Sequence, residues 1–220
     1  MDSSRPDSSS RWVFGNRPLP QTIALAQVLR RLAATALSLE EEDGDLARLI
    51  EDLSAAEQQL AGRVPEDPSP RVGPETKPAQ RVYLDHGTDI GAFNPCFPEY
   101  EIHVEGEQAT GTVSFPLAFE GPPGLVHGGF LAVFFDCAIQ HHNCDYGVAG
   151  KTTSLQLEYR RPTPLLTVLD FEIERTSDER RITSVARLAL EGTELCRARM
   201  EAVAGDRARL PFVSPRREGA

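Results

Sequence analysis

Residues 130–142, Phe-Leu-Ala-Val-Phe-Phe-Asp-Cys-Ala-Ile-Gln-His-His, limit the possible folds more than any other stretch. Wound as a helix, Phe130, Leu131, Ala132, Val133, Phe134, Phe135, Ala138 and Ile139 leave it almost no polar side. Such a helix must be covered all round. No apolar run in the chain approaches the roughly 18 residues of a membrane span, so the cover has to be protein. Its nature shows in the flanking pattern, which has period two. Tyr100, Ile102 and Val104 alternate with Glu101, His103 and Glu105. Gly106 permits a turn, and Ala109, Gly111, Val113 and Phe115 then alternate with Thr110, Thr112 and Ser114, which predicts a hairpin. After the helix, Leu155, Leu157 and Tyr159 alternate with polar partners, as do Leu169, Phe171 and Ile173. Residues 182–190 are small or apolar on both faces, and Cys196, Ala198, Met200 and Ala202 alternate with Arg197, Arg199 and Glu201. Turns fall at Ser177-Asp178-Glu179 and Glu191-Gly192. A hairpin, one buried helix and a run of antiparallel strands predict an α+β domain, one sheet wrapped around one helix.

That domain is expected over residues 81–205, followed by a tail, 206–220. Ahead of it, residues 1–18 are Ser-rich and read as disordered. Residues 19–62 carry two helical patterns. Leu25, Val28, Leu29, Leu32 and Ala36 form the first, with Pro20 suited to its first turn. Leu46, Leu49, Ile50, Leu53 and Leu60 form the second, with a capping box expected from Ser38 and Glu41 and a stop at Gly62. They are too small to make a core alone, and are expected to pack as a helical hairpin extension on each other and on the main domain. Five prolines (Pro65, Pro68, Pro70, Pro74, Pro78) mark 63–80 as a semi-extended linker.

The chemistry concentrates in Gly121-Pro-Pro-Gly-Leu-Val-His-Gly-Gly129 and in Asp136, nine residues after His127. Gly128 and Gly129 open the buried helix, where backbone N–H groups lack partners and the dipole is positive. Without side chains there, a ligand oxygen can approach those N–H groups closely. Asp136 lies in the most apolar stretch of the chain, between Phe135 and Cys137, where a carboxylate is costly unless partnered or functional. Taken with the strand Thr152-Thr-Ser-Leu-Gln-Leu-Glu-Tyr-Arg-Arg-Pro162, residues 90–203 resemble the hotdog-fold acyl-CoA thioesterases of the phenylacetate-pathway (PaaI-like) branch.

The resemblance implies a catalytic set of Asp136, Gly128, His127 and Thr152. In that family the N–H of the first glycine after the histidine, here Gly128, polarises the thioester carbonyl, and the acid is general base or nucleophile. Thr152 aligns with a hydroxyl that positions water; as a strand-start threonine it is equally a β-former. His127 either contacts the thioester region or fixes the loop. Gly129, Arg160 and Arg161 are candidate substrate contacts, the arginines for CoA phosphates or as a solvated strand end. Some family members carry asparagine where this chain has Gly121. The family joins sheets edge to edge, so a homodimer or dimer of dimers is expected. Gly128 and Asp136 are also too far apart along one helix to serve one carbonyl, so each site should be shared between subunits.

The net charge of −10 argues against nucleic acid and anionic membrane as partners, and any anionic ligand must find local positive charge. Cys96, Cys137, Cys144 and Cys196 lack C-x-x-C spacing and read as buried thiols of a cytoplasmic protein. His141 and His142 with Asp145 lack a third ligand at zinc spacing, so neither metal nor cofactor is expected. The expected substrate is an acyl-CoA, hydrolysed to acid and CoA. Two alternatives remain. A non-catalytic acyl-CoA-binding protein keeps the pocket without needing Asp136. A hotdog enoyl-CoA hydratase uses an Asp-x4-His pair, but Asp136 and His141 on one helix are about 140° apart around it.

Overall fold

The buried stretch lies inside a helix that starts at the glycine pair and ends where Gly147 takes φ 92°, a left-handed cap. The structure is a computed structural model describing residues 11–72, 80–209, 213, 214 and 216. In chain order the elements are α1 (Pro20–Leu37), α2 (Gly44–Ala61), β1 (Asp67–Pro70), β2 (Gln80–Arg81), α3 (Ile90–Phe93), β3 (Tyr100–Glu105), β4 (Gln108–Ser114), a 3-10 turn (Leu117–Phe119), α4 (Gly128–Tyr146), β5 (Gly150–Tyr159), β6 (Val168–Asp178), β7 (Arg181–Leu190) and β8 (Thr193–Ala204). The last six strands form one antiparallel sheet, ordered β3-β4-β6-β7-β8-β5. It wraps α4 as the patterns predict.

Phe134, Phe135, Ala138 and Ile139 of α4 are fully buried. Phe134 is the centre of the core, with Tyr100, Phe115 and Phe171 around it at ring-centroid distances of 6.0, 5.6 and 5.4 Å, all edge-on. The facing side of the sheet is set by alternation: Leu169, Phe171 and Ile173 of β6 and Ala198, Met200 and Ala202 of β8 point inward and are buried. β7 and β8 join through Glu191 (φ 49°) and Gly192 (φ 77°), the two positive φ values of a tight hairpin turn. Gly111 is required by packing, since a Cβ there would stand 2.0 Å from the Glu101 carbonyl oxygen and 2.5 Å from the Phe171 ring.

The N-terminal extension departs from expectation in three ways. First, residues 11–16 are not a loose tail; residues 1–10 lie outside the described residues. Trp12 is buried against Cys144 and Ala149, and its N–H donates to the Cys144 carbonyl at 3.0 Å. Asn16 bridges to Leu84 and reaches the Ser214 carbonyl through Nδ2 at 2.9 Å. Trp12 supplies an anchor that the surrounding serines hide from composition. Second, the linker pairs β1 with β2 in parallel. Third, the two long helices do not make a packed hairpin. α1 docks on α3 and the 3-10 turn, held by Arg30, which is 5% exposed. Its guanidinium donates to the carbonyls of Phe97, Gly91 and Asn94 and pairs with Glu99. α2 buries no residue, and Ile50, Leu53 and Leu60 of its apolar stripe are exposed. Its N-cap is Asp43, which accepts from the Asp45 and Leu46 N–H groups in place of the Ser38–Glu41 box.

Candidate active site

The loop before α4 is closed by its own backbone. Gly121 N–H donates to the Leu125 carbonyl and His127 N–H to the Phe119 carbonyl, both at 2.9 Å. The carboxylate of Glu120 accepts the Gly124 N–H at 2.6 Å. A Cβ on Gly121 would stand 2.9 Å from His127, so this position admits no larger residue without moving the histidine.

His127 is the N-cap of α4, and its Nδ1 accepts the Gly129 N–H at 3.0 Å. An accepting Nδ1 carries no proton, so the neutral ring holds its proton on Nε2. The two glycines therefore differ. The Gly129 N–H is taken by its own chain. The Gly128 N–H meets no acceptor among the described residues. Tyr159, at the end of β5, stands against Gly128: its hydroxyl donates to the Gly128 carbonyl at 3.0 Å. A Cβ at 128 would lie 3.1 Å from the Tyr159 ring. Gly128 lines a cavity of about 380 Å³ whose walls include Leu125, Leu131, Tyr159, Arg160 and Arg161.

The two arginines at that cavity are not equivalent. Arg160 pairs with Glu158 and with Glu194, the latter at 2.6 Å. The Arg197 hydrogen bonds lead the cationic contacts that hold Glu194 below the usual carboxylate range. Arg161 is exposed, and its guanidinium has no acid partner among the described residues. It remains free to meet an anion.

Asp136 sits two turns further along α4, half-buried rather than enclosed. The Thr152 hydroxyl donates to its Oδ1 at 3.0 Å, and Gln140 Nε2 donates to the Thr152 oxygen at 2.9 Å. A β-bulge makes this contact. Thr152 pairs with Ala202 while Ser154 pairs with Glu201, so Thr153 is an extra residue. The alternation changes phase across it. Thr152 shares the α4 side with Leu155, Leu157 and Tyr159, which strict period two would forbid. One strand thus carries Thr152 to Asp136 and Tyr159 to Gly128.

Other titratable groups nearby are spoken for. Burial, then the Asp136 charge, push the Cys137 thiol up to about 11, so it is no thiolate nucleophile. His141 Nδ1 shares a hydrogen bond of 2.8 Å with the Tyr100 hydroxyl, and burial pushes its pKa down to about 4. His142 Nε2 bonds the Gly106 carbonyl at 2.9 Å, and burial lowers its pKa too. Both rings are neutral and committed elsewhere, so no Asp136–His141 pair forms. The four cysteines are free; Cys96 is exposed, against expectation. Among the described residues no three metal-binding side chains cluster, and no helix is long and apolar enough to cross a membrane.

One edge of the site is uncovered. Among the described residues β5 pairs with β8 alone, leaving the other edge of Gly150–Tyr159 without a strand partner there. Beside it α4 exposes Phe130 (37%) and Val133 (51%), on the same stripe as Asp136 and Gln140.

No family model matches the chain. Among solved structures it is similar to a thioesterase superfamily protein, with 26% identity over 87% of this chain and 99% of that chain and a TM-score of 0.69. It also matches a hypothetical thioesterase with coenzyme A from Streptococcus pneumoniae TIGR4, at 21% identity over 48% of this chain and 88% of that chain, TM-score 0.45. The PaaI protein of the E. coli phenylacetic acid degradation operon matches at 15% identity over 47% of this chain and 82% of that chain, TM-score 0.44. The first of these matches shows that the chain has the hotdog fold. A match over 87% of 220 residues necessarily takes in most of residues 1–80, so the N-terminal extension, which resembles nothing familiar in sequence, has a structural counterpart.

Proposed function

We propose that the protein is an acyl-CoA thioesterase whose two active sites are each completed by a second copy of the chain. The observation that carries the reading is the pairing on one helix of an unengaged N–H at Gly128 with a carboxylate, Asp136, held by Thr152. The likeness to a thioesterase superfamily protein over nearly all of that protein supports it.

The thioester carbonyl enters the apolar cavity with its oxygen at the Gly128 N–H. There the helix dipole and a donor already in place stabilise the charge that develops on attack. Tyr159 holds the Gly128 peptide and walls the cavity. Asp136 either takes the proton of an attacking water or attacks the carbonyl itself, giving an anhydride that water then opens. In both cases the C–S bond breaks, the thiolate of CoA leaves and is protonated, and the acyl group departs as the acid. Arg161, rather than the neutralised Arg160, meets a CoA phosphate. The unpaired β5 edge supports an edge-to-edge dimer, which brings each Asp136 toward the partner's Gly128 and covers the exposed Phe130 and Val133.

The test is a hydrolysis screen with acyl-CoAs of graded chain length and arylacetyl-CoAs, reading free thiol, with chelator present. Turnover of some substrates without metal is expected. Binding of several acyl-CoAs with turnover of none would leave a non-catalytic binding protein.

A further inference from the structure

We infer that Gln140 is a positioning residue of this site, acting through Thr152 to fix the direction in which Asp136 is held. The inference rests on the thioesterase reading above. Its geometry is a three-membered chain: Gln140 Nε2 to Thr152 Oγ1 at 2.9 Å, and Thr152 Oγ1 to Asp136 Oδ1 at 3.0 Å. Gln140 and Asp136 are four residues apart on α4 and therefore on the same face, so Thr152, arriving on the bulged strand, meets both at once.

The order of donors follows from valence. A hydroxyl has one proton, and an ionised carboxylate only accepts. The Thr152 proton therefore points at Asp136. Its oxygen has lone pairs to offer on the other side, and Gln140 must present its amide N–H₂ there rather than its carbonyl. This settles the amide orientation by chemistry, independently of how the two ends of the group are assigned. Each bond polarises the next, so the Gln140 donor makes Thr152 a better donor to Asp136. The Met200 sulfur lies 3.8 Å from both Gln140 Nε2 and Thr152 Oγ1, a weaker and longer alternative acceptor than the oxygens. With Oδ1 engaged, Oδ2 of Asp136 is the oxygen left for the reaction. Without Gln140 the hydroxyl is free to rotate and to give its proton to solvent, since Thr152 is exposed in the single chain.

The experiment is a double-mutant cycle on the full chain with Gln140→Leu, Thr152→Val and the double variant. The nearly isosteric Gln140→Glu removes the donor while keeping the shape. Melting temperatures confirm folding. Gln140→Leu and Gln140→Glu are each expected to lower kcat about tenfold, or 1.36 kcal/mol, with KM unchanged. In the Thr152→Val background Gln140→Leu should cost nothing further, because its only route to Asp136 is gone. Equal losses in both backgrounds, or no loss in either, would overturn the inference. Asp136→Asn separates the two levels: if it abolishes hydrolysis while Gln140→Leu is silent, the thioesterase reading stands and the role of Gln140 falls. Should no acyl-CoA turn over, the side-chain amide protons of Gln140 supply the readout by NMR. Thr152→Val should shift them and speed their exchange with water, and unchanged signals would refute the contact.

Discussion

Complementation between two inactive variants would show whether the active site is shared. Gly128 and Asp136 are eight residues apart on α4, about 12 Å at 1.5 Å per residue. Groups acting on one carbonyl must come within about 3 Å of it. One chain cannot deliver both, but two antiparallel copies of α4 about a two-fold axis can. Take Asp136→Asn and, separately, Gly128→Val. The valine Cβ would start 3.1 Å from the Tyr159 ring, in a position that lines the cavity, so the added side chain crowds the approach to the N–H. Losing a base costs on the order of 10²–10⁴ in rate, and losing an oxyanion donor 10²–10³. Each homodimer should therefore keep under about 1% of activity. A heterodimer has one site with both lesions and one with neither. Random re-pairing of an equal mixture makes about half the molecules heterodimers, so activity should recover to about a quarter of wild type. That is at least roughly 25-fold above either variant, well clear of assay error. The assay is thiol release after co-refolding, with heterodimers counted by native mass spectrometry. Heterodimers present at the expected abundance but with the activity of the single variants would place the whole site in one chain. Failure to find any dimer would refute the β5-edge arrangement.

Two further outcomes are expected. Arg161→Ala should raise KM for acyl-CoA several-fold and leave hydrolysis of a short thioester lacking the nucleotide unchanged. Arg160→Ala should affect KM little, because Glu158 and Glu194 already hold its charge; steady-state kinetics on both variants decide this, and the reverse ranking would refute it. Stability should fall on acidification between about 6.5 and about 4, the unfolded and folded pKa of His141. In that window the unfolded chain binds a proton that the buried ring refuses, so stability is complete above 6.5 and is lost as pH falls. At 1.36 kcal/mol per pKa unit the loss is bounded by roughly 3 kcal/mol. His142, also lowered by burial, adds to it, while Asp145, raised by burial, opposes it. Melting temperature against pH should show a shallower fall in His141→Gln than in wild type; identical slopes would show that the ring is not the titrating group.

The central helix, the β3–β4 hairpin and the inward faces of the later strands are fixed by local periodicity. Phe134, Phe135, Ala138 and Ile139 mark the helix face that must leave water, although Phe130 and Val133 on another face stay exposed in the single chain, and Leu169, Phe171 and Ile173 can be buried together only on one side of a strand. The glycines that open α4 and the acid at 136 were legible for the same reason, because a helix start and a carboxylate among aromatics are properties of neighbouring residues. What each does was not. Thr152 reads one phase out of step with Leu155, Leu157 and Tyr159, and only the extra Thr153 in the pairing with β8 turns it toward Asp136. Gln140 looks like one more helix residue until Thr152 arrives beside it. Gly128 and Gly129 are equivalent in sequence, and the His127 ring separates them by taking one N–H. Arg160 and Arg161 are likewise adjacent and alike, until Glu194, more than thirty residues on, neutralises the first. Trp12 belongs to a segment whose composition suggested a loose tail, and Arg30 to a helix expected to pack on its hairpin partner as well as on the main domain, yet both are buried on the main domain. Periodicity records which side of an element must leave water, because that is decided within a few residues. Register, bulges, caps and ion pairs depend on which distant backbone atoms come to lie alongside, and only the folded sheet around α4 decides that.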